Sequence, residues 1–167
     1  MFTRQGRGTA LAQNPFMRVR AADNHDIGDI IRLITPLEDA GILLPRSREY
    51  LEDHIGEFSV LEQDCHVYGC VALKLFADRQ VGELACLVVS PDAQDGGYGE
   101  LLLDHVIAQA QNKGMHTLFA LSTNTGAWFD ERGFQAASFD DLPQERQRQY
   151  LQNQRRSQIY CLPLAAP

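Results

Sequence analysis

A glycine-rich loop between a strand-like run and a helix-like run most constrains how this chain can fold. The apolar residues 84–89 lead to Pro91, the loop Gln-Asp-Gly-Gly-Tyr-Gly occupies residues 94–99, and a helical pattern covers residues 99–113. Glycines let consecutive backbone N–H groups turn towards one point, and the N-terminus of a helix adds its positive end there. The segment therefore predicts a binding site for an anionic phosphate group.

An ordinary turn stays an alternative interpretation of this loop, whereas its glycine spacing excludes two nucleotide-binding motifs. An ordinary strand-to-helix turn would also use glycines. A dinucleotide fold would carry Gly-x-Gly-x-x-Gly, and a nucleotide-triphosphate loop would carry Gly-Lys-Ser/Thr after the glycines. The chain has neither pattern at this position.

Composition indicates one globular domain and excludes several classes of partner. The 167 residues are 44% hydrophobic and 22% charged, as in soluble proteins, and the net charge of −7 argues against general nucleic-acid binding. We find no apolar run of membrane-spanning length and no signal-peptide core, so we expect a cytoplasmic protein. The cysteines at 65, 70, 86 and 161 form no Cys-x-x-Cys pair, so we expect no metal and no disulfide framework.

Hydrophobic periodicity predicts a mixed α/β sheet with an antiparallel front half and a crossover in the back half. One helix should carry Ile27 and Ile30 and be limited by Pro36, and a last helix should be capped by Asp141 ahead of a proline. The predicted strands cover residues 16–21, 59–63, 66–76, 81–90, 117–121, 134–137 and 157–162. The first predicted helix follows a cap at Asp23 or Asn24, three others cover residues 47–58, 99–113 and 125–132, and the last one follows residue 143.

The loop, with Gln94, Gly97 and Gly99 after a strand ending in Val-x-Pro, resembles the pyrophosphate loop of the Gcn5-related N-acetyltransferases (GNAT), which holds acetyl-CoA. The order of elements matches that superfamily throughout. The resemblance implies the Gcn5-related N-acetyltransferase fold, a mixed sheet with splayed central parallel strands flanked by helices. The thioester arm of the cofactor would enter between the strands at 81–90 and 117–121.

Several longer strings narrow the resemblance. Residues 82–87, 95–100, 121–125, 128–134 and 155–157 are similar to the acetyltransferase domain of the bacterial N-acetylglutamate synthases, over about residues 16–162. This resemblance implies transfer of the acetyl group of acetyl-CoA to the α-amino group of L-glutamate, the first step of arginine biosynthesis. Residues 1–15 resemble the end of an amino-acid-kinase-like domain, so we place the acetyltransferase domain at 16–167. The family also implies a homo-oligomer with an arginine-binding kinase-like domain.

Three residues are candidates for catalysis. Glu83 is the best general base, because carboxylates in narrow, partly apolar clefts bind protons more readily, although a solvent-facing strand residue is the alternative. The resemblance implies that Ser122 protonates the leaving thiolate, whereas by residue type alone it would cap a loop. The superfamily often has a tyrosine where this chain has Phe129, which cannot donate a proton. Cys86 raises the option of an acetyl-cysteine intermediate, but a small buried apolar role is the better interpretation.

Strand alternation separates two of these candidates. Glu83 and Cys86 are three residues apart, so strict alternation puts them on opposite faces of the sheet. A β-bulge between them, common in the superfamily, would bring both to the cleft.

The resemblance extends the cofactor site beyond the loop and assigns the substrate site. Cofactor contacts are implied for the loop residues Gln94, Asp95, Gly96, Gly97, Tyr98 and Gly99, and for Leu87, Val88, Val89 and Asn124. Arg155 and Ser157 are two apart on a strand, so both can hold one carboxylate. Arg46 and Arg48 bracket a helix start, where basic residues oppose the dipole, so ligand binding and ordinary surface arginines are both open at these positions. The resemblance favours Arg46 and Arg155 as carboxylate clamps, with Lys74 as a weaker candidate.

Two other functions fit the same motifs. One is an acetyl-CoA-dependent N-acetyltransferase for another amino acid or amine, and the other is a noncatalytic acyl-CoA-binding regulatory module. A regulatory module would keep the glycine loop but would not need Glu83, Ser122 or Arg155, and the sequence retains all three.

Overall fold

The computed structural model describes residues 16–153 and 156–166, which form one mixed sheet flanked by helices. The strands are β1 (Arg18–Ala21), β2 (Phe58–Gln63), β3 (His66–Phe76), β4 (Val81–Val89), β5 (Thr117–Ser122), β6 (Gln135–Ala137) and β7 (Gln158–Pro163). The α-helices are α1 (Ile27–Asp39), α2 (Arg48–His54), α3 (Tyr98–Asn112), α4 (Gly126–Glu131) and α5 (Gln144–Asn153). The strand order β1-β2-β3-β4-β5-β7-β6 confirms the predicted fold class.

The described residues fall into two compact units. The first contains residues up to 72 together with 86–105, and the second contains 73–85 together with the residues from 106 onward. Strands β3 and β4 and helix α3 contribute residues to both units.

In the first unit, β1, β2 and the first part of β3 form an antiparallel meander. The turn between β2 and β3 lies at Asp64 and Cys65, as predicted, and both residues have left-handed φ values of +50° and +62°. Arg20 of β1 binds the carboxylates of Asp26 and Glu62 together, which ties the turn before α1 to the sheet. Arg20 accordingly lowers the pKa of the Asp26 carboxyl.

Helix α1 corrects one detail of the sequence analysis, because Pro36 does not limit it. The helix continues through Pro36 to Asp39 and ends at Gly41, which has φ +73°. The amide of Gly41 donates to the Glu38 carbonyl and the amide of Ile42 to the Leu37 carbonyl, so a Schellman motif supplies the actual stop.

In the second unit, β5 is parallel to β4 and antiparallel to β7, which also pairs with β6. A core cluster of Phe76, Phe119, Leu142 and Ile159 packs on one face of these strands. Helix α5 begins directly after Pro143, but Asp141 does not cap it, since its carboxylate accepts hydrogen bonds from the amide and hydroxyl of Ser138. Of the helices that the structure describes, none has the length and apolar character that crossing a membrane requires.

Candidate active site

The glycine loop lies in the first unit, between a 3-10 turn at Pro91–Ala93 and the start of α3. Asp95 and Gly97 both adopt left-handed backbone, with φ values of +68° and +76°. A side chain at Gly96 would overlap the ring of Tyr98, which is buried. Glycine is therefore favoured at 97 for its backbone conformation and at 96 because a side chain would not fit. Both features suit a loop that turns its backbone amides towards one point. Phosphate binding by this loop stays a prediction.

Strand β4 has an irregular backbone between the two candidate residues that it carries. Cys86 is buried and has φ +51°, a left-handed conformation unusual within a strand for any residue except glycine. A residue in this conformation interrupts strict alternation, as the predicted bulge would. The thiol of Cys70 donates to the Cys86 carbonyl at 3.5 Å, so the interrupted backbone at residue 86 still has a partner within the first unit.

Glu83 lies in the second unit, and an arginine that the sequence analysis missed holds its carboxylate. Nε of Arg146, on α5, donates to Oε2 and Oε1 of Glu83 at 2.9 and 3.1 Å. Both side chains are about nine-tenths buried, with 9% of Glu83 and 10% of Arg146 exposed. Glu83 is therefore neither a solvent-facing residue nor an isolated carboxylate in an apolar cleft. One signal was available, because Leu142, Arg146 and Tyr150 follow a four-residue spacing that puts Arg146 in an apolar stripe.

Ser122 is buried at the end of β5 and holds the following turn together. Its Oγ accepts hydrogen bonds from the amides of Thr125, at 2.9 Å, and Asn124, at 3.3 Å, and lies 2.5 Å from the Thr125 hydroxyl. The loop-capping role left open by the sequence is therefore present. The same hydroxyl retains a proton, so capping does not remove its capacity to act as an acid.

The strand register places Glu83 and Ser122 on different faces of the second unit's sheet. Glu83 pairs with Phe119, and Ser122 follows three residues later on β5. An odd separation reverses the face, and three residues span about 10 Å along a strand. Phe119 belongs to the core cluster described above, whereas Ser122 lies opposite Gln158 of β7.

The predicted carboxylate-binding residues have different surroundings. Arg46, in the first unit, is half-buried and donates from Nη1 to the Leu44 carbonyl at 3.0 Å. Lys74, in the second unit, is one-quarter exposed and lies 3.9 Å from a Glu145 oxygen. Ser157 is buried, and its carbonyl accepts a hydrogen bond from Tyr150. Arg155 lies outside the described residues.

The remaining implied cofactor residues divide between the two units. Leu87, Val88 and Val89 form the end of β4 in the first unit, and the Val89 carbonyl accepts a hydrogen bond from the Gln94 side chain at 3.4 Å. Asn124, in the second unit, is exposed next to Ser122. Phe129, where the superfamily often has tyrosine, is buried and stacks on Tyr160 with ring centroids 5.7 Å apart.

A cavity of about 250 Å³ in the second unit is separate from these residues. None of the predicted site residues lines it; its walls are formed by Phe76, Asp78, Arg79, Pro143, Gln144, Glu145 and Arg148. Within residues 16–153 and 156–166, no group of three or more His, Cys, Asp or Glu side chains could hold a metal ion.

Comparisons with known proteins agree with this architecture. Residues 25–134 match the model of the acetyltransferase (GNAT) family. The chain is 59% identical over 159 residues to the amino-acid acetyltransferase of Neisseria meningitidis, covering 95% of this chain and 36% of that protein. It is 46% identical over 160 residues to the amino-acid acetyltransferase of Azotobacter vinelandii, covering 96% of this chain and 37% of that protein. The chain thus spans about a third of the length of these relatives.

A solved structure shares the fold closely. N-acetylglutamate synthase from Neisseria gonorrhoeae, complexed with coenzyme A and N-acetyl-glutamate, superposes with a TM-score of 0.88 at 57% identity. The match covers 92% of this chain and 36% of that chain. These similarities confirm the resemblance on which the predicted fold rests.

Proposed function

Because the chain belongs to the acetyltransferase (GNAT) family, we propose that it transfers the acetyl group of acetyl-CoA to the α-amino group of L-glutamate. The observation that carries this proposal is the similarity to a synthase solved with coenzyme A and N-acetyl-glutamate. The product of the proposed reaction is N-acetylglutamate, an intermediate that the sequence resemblance assigns to arginine biosynthesis.

The glycine loop is the proposed binding site for the pyrophosphate of acetyl-CoA. Its left-handed residues Asp95 and Gly97 and the N-terminus of the 15-residue helix α3 supply backbone N–H groups and a positive dipole end. The strand end at Leu87, Val88 and Val89 and the exposed Asn124 complete the proposed contacts with the cofactor.

We place the chemistry in a ternary complex with direct transfer. Glu83 accepts a proton from the ammonium group of glutamate, and the freed amine attacks the thioester carbonyl carbon. As the new C–N bond forms and the C–S bond breaks, the coenzyme A thiolate takes a proton from Ser122. The nitrogen loses its second proton as the amide forms, which restores the Ser122 hydroxyl, and Glu83 releases the first proton to solvent. Glu83 and Ser122 face opposite sides of the sheet, although nitrogen and sulfur are bonded to one carbon in the tetrahedral intermediate, so Ser122 is the weaker of the two assignments.

The two carboxylates of glutamate need cationic and hydroxyl partners. We assign them to Arg46 and Arg155, with Ser157 beside Arg155 and Lys74 as a further candidate. Arginine suits this task because its planar guanidinium binds carboxylates through two parallel hydrogen bonds. The homo-oligomer and the arginine-binding kinase-like domain implied by the resemblance stay predictions.

A product assay tests the proposal directly. The purified protein is incubated with acetyl-CoA and a panel of amino acids and other amines, and the acetylated products are identified by mass spectrometry. N-acetylglutamate should be the main product. Faster acetylation of another amine would assign a different substrate, and acetyl-CoA binding without any product would favour the regulatory module.

Two variants separate the two substrates. Gly97→Val places a branched side chain at φ +76° and should remove acetyl-CoA binding in calorimetry while circular dichroism stays unchanged. Arg155→Ala should raise KM for glutamate strongly and leave KM for acetyl-CoA nearly unchanged. Unaltered coenzyme affinity in the first variant, or unaltered glutamate KM in the second, would remove the corresponding residue from the proposed site.

A further inference from the structure

A buried arginine outside every predicted site residue contacts the proposed base. Arg146 reaches Glu83 from a position 63 residues further along the chain, and its Nε lies within 3.1 Å of both carboxylate oxygens. We propose that Arg146 is a positioning residue that holds the Glu83 carboxylate in the orientation needed for general-base catalysis. This inference rests on the proposed function.

The contact fixes the position of the carboxylate. The staggered rotamers of a glutamate side chain would let an uncontacted Glu83 place its carboxylate in several positions. One N–H shared between Oε1 and Oε2 holds the carboxylate end-on towards Arg146. The carboxylate has about four lone-pair sites, and this N–H faces the inner ones, which leaves the outer ones for a proton.

Burial makes the orientation persistent. Both side chains are about nine-tenths buried, so water competes little for either partner. A hydrogen bond between charged groups is stronger than one between neutral groups, and low local dielectric strengthens it further. The carboxylate is therefore oriented before any substrate arrives.

Neighbouring charges do not divert Arg146 from Glu83. The adjacent Glu145 is 60% exposed and lies next to Lys74 instead. Among the described residues, Glu83 is the one acid that Arg146 contacts. Neither Nη group of Arg146 has an acceptor in the described parts of the chain, so binding of a substrate carboxylate is the rival role that a test must separate.

The test compares Arg146→Gln and Arg146→Lys with Arg148→Gln, which removes an exposed arginine from the same helix. For each, kcat and both KM values are measured across the pH range, alongside thermal unfolding. Arg146→Gln should lower kcat by about tenfold or more, because acid–base groups act only when positioned. Both KM values should stay near those of the parent, because the change acts on the placement of the Glu83 carboxylate and leaves the substrate contacts in place. Arg146→Lys should recover part of kcat, and Arg148→Gln should match the parent.

Each other outcome overturns a stated part of the reasoning. A defect confined to KM for glutamate would make Arg146 a substrate-binding residue. Lower thermal stability with parental kcat and pH profile would make its role purely structural. If Arg146→Gln does not fold, Arg146→Lys decides, since parental kcat in that variant would show that the Nε contact is not needed.

Glu83→Gln distinguishes failure of the inference from failure of the proposed function. An inactive Glu83→Gln together with a parental Arg146→Gln would overturn the positioning role alone. Parental activity in Glu83→Gln would remove the proposed base, and with it the premise for Arg146.

Discussion

The buried pair of Glu83 and Arg146 predicts a specific pattern of stability changes. Replacing Arg146 with Met strands a buried anion, and replacing Glu83 with Leu strands a buried cation. Each side chain is about nine-tenths buried and the contact is as short as 2.9 Å, so water cannot easily compensate the remaining charge. Removing one partner of such a pair costs about 3–5 kcal/mol, and we expect this loss for each single variant.

The double variant is the informative member of the cycle. Carrying both Glu83→Leu and Arg146→Met, it leaves no charge uncompensated, and two apolar side chains of similar volume fill the site. Replacement of a whole buried pair in this way is often neutral or stabilising, so we expect the double variant within about 2 kcal/mol of the parent. The interaction free energy should then be close in magnitude to the sum of the two single losses, about 6–10 kcal/mol.

Urea unfolding at fixed pH measures the four free energies, with fluorescence and circular dichroism as two probes of a common transition. Lys74 and Glu145 supply a matched control, because their atoms are 3.9 Å apart and their side chains are 25% and 60% exposed. An exposed pair contributes about 0–1 kcal/mol. The reasoning would be refuted if the free-energy losses of the two single variants simply added in the double variant. It would also be refuted if the interaction free energy were no larger than that of Lys74 and Glu145.

Three further predictions concern packing, chemistry and pH. Gly69→Ala should destabilise the protein by about 1–3 kcal/mol in urea unfolding, because its Cβ would lie 2.7 Å from the Val88 carbonyl oxygen; an unchanged midpoint would contradict this. Cys86→Ala should keep most activity and give intersecting lines in two-substrate kinetics, whereas parallel lines with acetylated Cys86 would establish a covalent intermediate. Burial lowers the pKa of His105 from 6.5, because the folded protein disfavours the charged imidazole. The contribution of His105 to the free energy of unfolding should therefore be complete above about pH 6.5 and be lost as the pH falls through the pKa of the folded state. His105→Gln should flatten that dependence while His25→Gln, at an exposed site, should not.

The sequence predicted most elements because their signals are local. The Asp64 and Cys65 turn is set by the two runs that flank it, and the loop at 94–99 is set by its glycines, of which Gly97 has a left-handed φ of +76°. Helix α1 shows the limit of a local rule: Pro36 lacks an amide hydrogen, yet the helix continues because packing of Ile27, Ile30 and Ile34 outweighs one lost hydrogen bond.

The missed features of the site depend on contacts between distant parts of the chain. Arg146 belongs to a highly polar helical segment, so its burial follows only once α5 has packed beside β4. The opposite facing of Glu83 and Ser122 follows from the pairing of Glu83 with Phe119, and the residues of each strand alone do not specify that register. Burial of Glu83 could therefore be anticipated as an option, whereas for its partner the sequence offered only the spacing of Leu142, Arg146 and Tyr150, which does not indicate what Arg146 contacts.

The ends of the sheet bear on how the protein behaves at high concentration. In the sheet formed by the described residues, the outermost strands, β1 and β6, are only four and three residues long. A long, flat outer strand would offer unpaired N–H and C=O groups to a second molecule and so nucleate aggregation, whereas short strands offer few. The side chain of Arg18 on β1 is 69% exposed, and its charge further opposes strand addition from another molecule. The short length of β1 and β6 therefore disfavours edge-to-edge association of two molecules through these strands.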